Sequence, residues 1–350
     1  MSNTRQNPAR AETRPQMARR LLRPATFHRR APATVALLAA LALLGLVISS
    51  ASAAPDPHQP SLAAMAIAGT DLSHGAKVKR QGYGRQSGFE LYYQREFRRG
   101  ASFRRARFLG FEADVGLAAD PGKASNFVRG LQRAFKSKKV RAQLVKALAG
   151  AGRGVKVTFG RVSNVAAGDG AFIAPFSISI GGLIRFPFAI AAVRVDRADQ
   201  MLIMLGLPGS KLSRADVTSL LQVAATHMTA GLTPTVVTVP TISGTPQSGQ
   251  TLTATSGVWT NAASSYAFQW LRCDSTGANC QPIVGAVAST YVVTDTDIGS
   301  TIRVEVTATN SVASSVPAQS DATAVVIAAP PPPIAHAVTD LGVRTARKGG

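Results

Sequence analysis

FQWLRCDSTGANC, residues 268–280, holds the only two cysteines of a 350-residue chain. Three chemistries compete for such a pair: a metal site, a redox centre and a structural bridge. A structural zinc needs about four protein ligands, and no histidine lies between residues 240 and 328. A redox pair is ordinarily of the Cys-X-X-Cys kind, whereas six residues separate Cys273 from Cys280. Which chemistry holds depends on where the chain resides, because thiols persist in the cytoplasm and oxidise outside it.

The amino terminus answers that. Residues 1–31 carry eight arginines and one acid, Glu12, and ATVALLAALALLGLVISS follows at 33–50, then Ala51-Ser52-Ala53. A basic region, an apolar run and a small-residue site in that order form a secretory signal. The apolar run is also near the lower length limit for a bilayer span. Residues 1–54 therefore read as a signal peptide or an uncleaved anchor with its basic end in the cytoplasm. Either way the remainder is secreted or held at the cell surface. Cys273 and Cys280 then read as a disulfide staple across the DSTGAN connection. Closing so short a loop contributes roughly 2–3 kcal/mol.

Charge is unevenly distributed. Lys and Arg number 39 against 18 Asp and Glu, a net +21. Residues 57–232 carry 26 basic and 10 acidic side chains, while 241–325 carry only Arg272 and Arg303 against five acids. The basic excess favours an anionic partner, and with 45% hydrophobic residues the chain is not a disordered basic tail.

Residues 55–86 are mixed in composition and read as a stem. From 87 to 230 the pattern is that of a basic α+β domain. FELYYQREF (89–97) and RARFLGFEADVGL (105–117) alternate as strands, with Glu112 and Asp114 on the face opposite Phe111, Ala113 and Val115. A helix spans about 123–148, with Ser137 as a point where it can break, and AGAGRG stops it. VKVTFGRV (155–162), AFIAPFSISI (171–180), IRFPFAIAAVRV (184–195) and QMLIMLGL (200–207) are strand-like. Pro175 and Pro187 disfavour full pairing where they stand. Ser213 caps a last helix, with Asp216 three residues on. The order predicts an antiparallel sheet backed by helices. Residues 231–239 read as a linker. Short alternating segments over 240–328, TIRVEVTATN (301–310) the clearest, predict an all-β sandwich. Residues 329–350 form a Pro-rich segment and basic tail.

PTISGTPQSGQTLTATSGVW and YAFQWLRCDSTGANCQPIVGAVASTYVVTDTDIGSTIRVEVTATNSVASS resemble a repeated immunoglobulin-like module of exported proteins from high-GC Gram-positive bacteria. The W-x-x-C, C-x-x-I-x-G-A and D-x-G-x-x-I-x-V pieces occur in order. The resemblance implies Trp270 as the buried core tryptophan, and Tyr291, Asp297 and Gly299 as part of the turn before the penultimate strand. It also implies that the antibody-type bridge between sheets is missing. NSVASS departs from a glycine-containing form after Asn310, which would loosen that hairpin. Residues 87–230 resemble, in element order and in pieces such as VKVTFGRV, exported sensor-like or PsbP-like α+β domains of the same bacteria. Such domains are often accessory rather than catalytic.

No catalytic constellation stands out, and no cofactor or metal is expected. His227 on the last helix reads as half-packed. Asp169 with Glu112 or Asp114 could form a carboxylate pair, though solvated strand faces explain them as well. GAGRG (150–154) lacks the GxxxxGK[ST] frame, and GDG (168–170) is one turn rather than a calcium loop. The basic residues are the better candidates: Arg98, Arg99, Arg104, Arg105 and Arg107, with Lys136, Lys138, Lys139 and Arg141, suit phosphate and carboxylate groups. Outside the cell these are supplied by an anionic wall polymer, a phospholipid surface or an acidic protein. Export disfavours nucleic acid, and no motif sets an oligomeric state. The chain thus reads as a non-catalytic, envelope-associated binding or adaptor protein. A wall-acting hydrolase or a small-ligand sensor in the central domain is the alternative.

Overall fold

Between Met201 and Leu207 the chain has no polar side chain, so a strand there needs cover on both faces. That requirement organises the first half of the molecule. The structure, a computed structural model, describes residues 60–72, 76–97, 102–103, 106–149 and 154–331. The signal segment and the basic tail, with Arg98, Arg99, Arg104 and Arg105, lie outside the described residues.

In chain order the first region comprises α1 (Leu62–Met65), β1 (Val78–Gly84), β2 (Leu91–Phe97), β3 (Ser102–Phe103), β4 (Ala106–Leu117), α2 (Pro121–Lys136) and α3 (Lys138–Ala149). It continues through β5 (Val155–Phe159), β6 (Ser163–Val165), β7 (Gly170–Ile180), β8 (Ile184–Val195), β9 (Ala198–Gly206) and α4 (Arg214–Leu232). The strands form one sheet in the order β1-β2-β4-β9-β8-β7-β5, with β3 on β4 and β6 on β7. Every described pairing in it is antiparallel. Helices cover both faces rather than one. Ala189, Ala191 and Val193 of β8 and Leu202 and Met204 of β9 pack with α1 and α4. Phe188, Ile190, Met201 and Ile203 point the other way, onto α2 and α3. All nine residues of β9 are buried.

Local signals explain the helix limits. Asp120 caps α2, its carboxylate accepting from the Lys123 N–H at 2.8 Å, with Pro121 in the first turn. Ser137 is extended, with ψ 124°, and divides α2 from α3. The Ser213 hydroxyl accepts from the Asp216 N–H at 3.1 Å at the start of α4. Among the described residues no helix is long and apolar enough to cross a membrane.

The stem reading requires correction. Leu62, Met65 and Ile67 are fully buried, and the Arg95 guanidinium donates to the carbonyls of Ala63, Ala66 and Ile67 at 3.0–3.3 Å. β1 pairs with β2, placing Tyr83 opposite Tyr93. An edge strand tolerates polar residues that blur the alternation, and VKRQGYG is such a strand.

The second region is β-rich. It contains β10 (Val236–Thr238), β11 (Ile242–Ser243), β12 (Thr251–Ala254), β13 (Val258–Trp259), β14 (Ser265–Cys273), β15 (Gln281–Pro282), β16 (Thr290–Val292), β17 (Thr301–Thr309) and β18 (Ala318–Gln319). They form three sheets: β10-β13, β11-β12-β16 and β15-β14-β17-β18. Leu252 and Tyr291 from one sheet share a buried cluster with Trp270, Ile302, Val304 and Val306 from another. The Trp270 indole N–H donates to the Ala288 carbonyl at 2.8 Å. Asp297, fully buried, accepts from the Tyr291 hydroxyl at 2.7 Å and from Arg272 Nε at 2.7 Å. Gly299, at φ 85°, turns the chain into β17. Cys273 and Cys280 are disulfide-bonded, joining the end of β14 to the start of β15 within one sheet. Inside that loop Asp274 accepts from the Thr276 and Ala278 N–H groups and from Asn279, and the Thr276 hydroxyl bond leads the contacts holding its carboxyl down at about 2.

The two regions are joined by more than the chain. Residues 236–238, inside the expected linker, pair with Val258–Trp259. The Asn261 amide donates to the carbonyls of Gly231 and Thr233, both at 2.9 Å, and the Asn310 amide donates to that of Leu232 at 2.8 Å. The last carbonyls of α4, which lack partners inside the helix, thus find them on the β-rich region. Asn310 also closes its own turn, its side-chain oxygen accepting from the Val312 and Ala313 N–H groups at 2.9 and 3.1 Å. The departure after Asn310 therefore leaves a hydrogen-bonded turn rather than a loose one. Asn310→Ala should cost about 1–3 kcal/mol and accelerate hydrogen exchange at the Val312 and Ala313 amides. Unchanged exchange there would remove Asn310 as the residue that closes this turn.

Candidate functional site

In an extended strand the N–H and C=O of one residue point to the same side. The Pro175 carbonyl accepts from the Gly160 N–H at 2.8 Å on the outer edge of β7, so the donor that proline lacks is missing from that edge. The edge partner is split accordingly: β5 pairs with 176–180 and β6 with 171–173. The 160–162 connection bends away between them, and Arg161 sits in it.

Helices from both faces reach this gap. Lys136 is the final residue of α2, where a cation suits the helix C-terminus. Arg214 is the first residue of α4, where a cation opposes the dipole by a few tenths of a kcal/mol. Its guanidinium instead donates to the Asn164 carbonyl at 2.9 Å. The Asn164 side-chain oxygen accepts from Gln132 of α2. Asn164 is thus held from both helix layers at once.

The result is a cleft of about 670 Å³ lined by Lys136, Arg161, Arg214, Ser163 and Asn164 over an apolar floor that includes Ile173 and Val217. No carboxylate lines it. Among the described residues neither Lys136 nor Arg161 has an ion-pair partner. A neighbouring cleft of about 510 Å³, on the other side of Asn164, holds Arg129 and Arg194. There Asp169 lies 3.4 Å from Arg194 and offsets its charge. The first cleft is therefore the one equipped for an anion: three cations in one lining, no acid beside them and an apolar floor.

Of the basic residues singled out in sequence, Lys136 lines this cleft. Lys138 and Lys139 are exposed at the start of α3. Arg141 turns inward, donating to the Phe135 carbonyl at 2.5 Å with its guanidinium 5.1 Å from the Phe159 ring centre. It caps α2. Arg107 lies in β4, four positions from β5 in the sheet order, with β9, β8 and β7 between them. Arg161 and Arg214 escaped notice because nothing in the sequence brings 136, 161 and 214 together.

Of the carboxylates read as solvated turn and strand faces, Asp169 is exposed and Glu112 partly so, while Asp114 is buried. Asp169 lies beside β7, and Glu112 and Asp114 on β4, with β9 and β8 between. Three strand spacings make roughly 14 Å, so no Asp169 pair forms. Asp114 is buried, and burial, then the nearby Glu112, pushes its carboxyl well up. Tyr92 is pushed up by burial and by Asp114. Asp199 of β9 is 1% exposed, and neither oxygen has a hydrogen-bond partner. Its cross-strand neighbour Gly116 lies under the Phe89 ring, which a Cβ at 116 would approach to 2.4 Å. Burial raises the Asp199 carboxyl to about 8. His227 is half-buried, 3.6 Å from Asp71. Among the described residues no His, Cys, Asp and Glu cluster could hold a metal ion. No protein-family model matches the chain, and no curated protein does.

Asp199 makes stability depend on pH. Above about pH 4 the unfolded chain ionises this group, while the folded chain does so only near about 8, so stability falls as pH rises between those values. Asp199→Asn should stabilise the protein by about 1–3 kcal/mol at the top of that window and by little at its bottom. Equal effects at both ends, read by thermal melts, would contradict the assignment.

Proposed function

We propose that this is an exported, envelope-associated, non-catalytic binding protein. Its basic mixed region takes an anionic group of an envelope polymer in the cleft between α2, β6 and α4. The single observation that carries this reading is the convergence of Lys136, Arg161 and Arg214 on one cavity with no acid in its lining. Phosphate and carboxylate are the groups that such donors select. The cationic surroundings add attraction at longer range: no Asp or Glu occurs between Asp120 and Asp169, against eleven Lys and Arg.

The β-rich region serves in this reading as an immunoglobulin-like sandwich that spaces and orients the binding region. Two sheets sharing the Trp270 cluster support the sandwich, and the sequence resemblance supports the family. The asparagine contacts to the end of α4 make it a fixed spacer rather than a swinging one. A disulfide within a hairpin suits an oxidising compartment.

Binding of the chain to a purified anionic wall polymer, followed against salt, tests the assignment. Lys136→Gln with Arg161→Gln should weaken it about tenfold or more and flatten its salt dependence. Lys138→Gln with Lys139→Gln, which removes the same charge from an exposed helix start, should matter much less. Equal losses from both pairs would reduce the cleft to part of a diffuse basic surface and overturn the proposal.

A further inference from the structure

A second surface stands apart from the cleft. β8 pairs with β9 only from Phe188 onward, so residues 184–187 of β8 run beyond the main sheet with β7 and β5 alone. These three strands end in a tongue whose cross-strand rows are set by register. The outermost row is Val155–Ile180–Ile184, and the next is Lys156–Ser179–Arg185. Successive rows point to opposite faces, so apolar side chains share one face of the tip and two cations flank a serine on the other.

The apex is formed by Gly181 and Gly182 at φ 59° and 73°, with the Leu183 N–H donating to the Ile180 carbonyl. The glycines satisfy the turn; the leucine after them is not required by it. Turns of this kind ordinarily carry polar residues. Leu183 is nevertheless 92% exposed and Ile184 48% exposed. Departures from local rules of this sort concentrate at functional surfaces. No acid occurs in α3, β5, β7 or β8. Lys156 and Arg185 are exposed, and among the described residues neither has an ion-pair partner.

An apolar apex backed by unpaired cations at a depth of one residue row matches the boundary of an anionic bilayer. Short apolar side chains enter the headgroup–acyl boundary, and Lys and Arg remain at the phosphates. A protein partner would need a complementary apolar socket and acids placed around it, whereas a bilayer supplies both without specific shape. We propose that the β7–β8 hairpin is a membrane-inserting wedge: Leu183 and Ile184 enter the outer acyl region of an anionic phospholipid surface, with Lys156 and Arg185 at the headgroup phosphates. This rests on the hairpin and not on the cleft. Pro175 and Ala189, at the cleft, lie five residues back along the hairpin, about 17 Å from the apex, so both surfaces can be occupied together.

The test uses the full chain carrying Leu183→Trp, mixed with vesicles of phosphatidylglycerol and acyl-brominated phosphatidylcholine. Trp270 is fully buried, and the unsubstituted chain gives the background from it and Trp259. Because the amino-terminal apolar run can itself hold the chain on vesicles, the readout is quenching at position 183 rather than binding. The proposal predicts a blue-shifted indole quenched by the bromines. The concentration of anionic vesicles needed should rise about tenfold when Lys156→Ala and Arg185→Ala are added. Vesicles lacking phosphatidylglycerol should quench weakly. A vesicle-bound chain with no added quenching at 183 overturns the proposal, as does quenching indifferent to lipid charge. Leu183→Ser that leaves vesicle behaviour unchanged but abolishes self-association in sedimentation would assign the apex to a second copy, and also overturns it. Circular dichroism and a cooperative melt establish that each variant is folded.

Discussion

Everything in the first region follows from the burial of β9 on both faces. A strand with no polar side chain in its middle cannot lie at a surface, so the sheet takes helices on each side. The sheet therefore has no solvent-facing side in its centre, and function is displaced to its edges. At the β6 edge the two helix layers come round the sheet and meet, where Gln132 and Arg214 both reach Asn164. The cleft is a consequence of that meeting, and Pro175 keeps the edge open by withholding one donor. At the opposite edge, the polar strand β1 and the Arg95 clamp on α1 close the sheet.

Charge follows the same division. The acids Glu90, Glu96, Glu112 and Asp114 sit on or beside β2 and β4, whereas α2, α3 and β5–β8 carry the basic excess. Most of the net charge is thus on one side of the domain, with both the cleft and the hairpin apex within it. The β-rich region carries two arginines against five acids and contributes geometry. It fixes its position through the carbonyls that α4 leaves unpaired, so the same helix closes the core in its middle, holds the cleft at its start and orients the neighbouring region at its end.

Much of this was legible in the sequence. Long strands announced themselves by alternation or by continuous apolar runs, Ser213 marked the start of α4, Ser137 the break between α2 and α3, and the cysteines their bond. Tertiary placement was not legible. Residues 55–86 read as a stem in sequence because α1 is one turn long and β1 is a polar edge strand, and the docking of α1 depends on the Arg95 side chain from another strand. Glu112 and Asp114 alternate as solvent-facing residues do, yet Asp114 is buried with Tyr92 of the neighbouring strand beside it, which alternation alone does not reveal. Lys136 was noticed for its neighbours Lys138 and Lys139, yet its partners are Arg161 and Arg214, which no local pattern connects. Arg141 looked like part of a basic face and is instead a helix cap, since a guanidinium can reach back to a carbonyl as readily as outward.

The central claim is that anion recognition is localised at the β6 edge. Amide chemical-shift mapping of the chain titrated with an inorganic oligophosphate tests it most directly. The account predicts saturable shifts confined to 160–165, the end of α2 and the first turn of α4, with little change along β2 and β4. Shifts spread over Lys138, Lys139 and the other exposed cations, without saturation, would contradict it and leave only a diffuse positive surface.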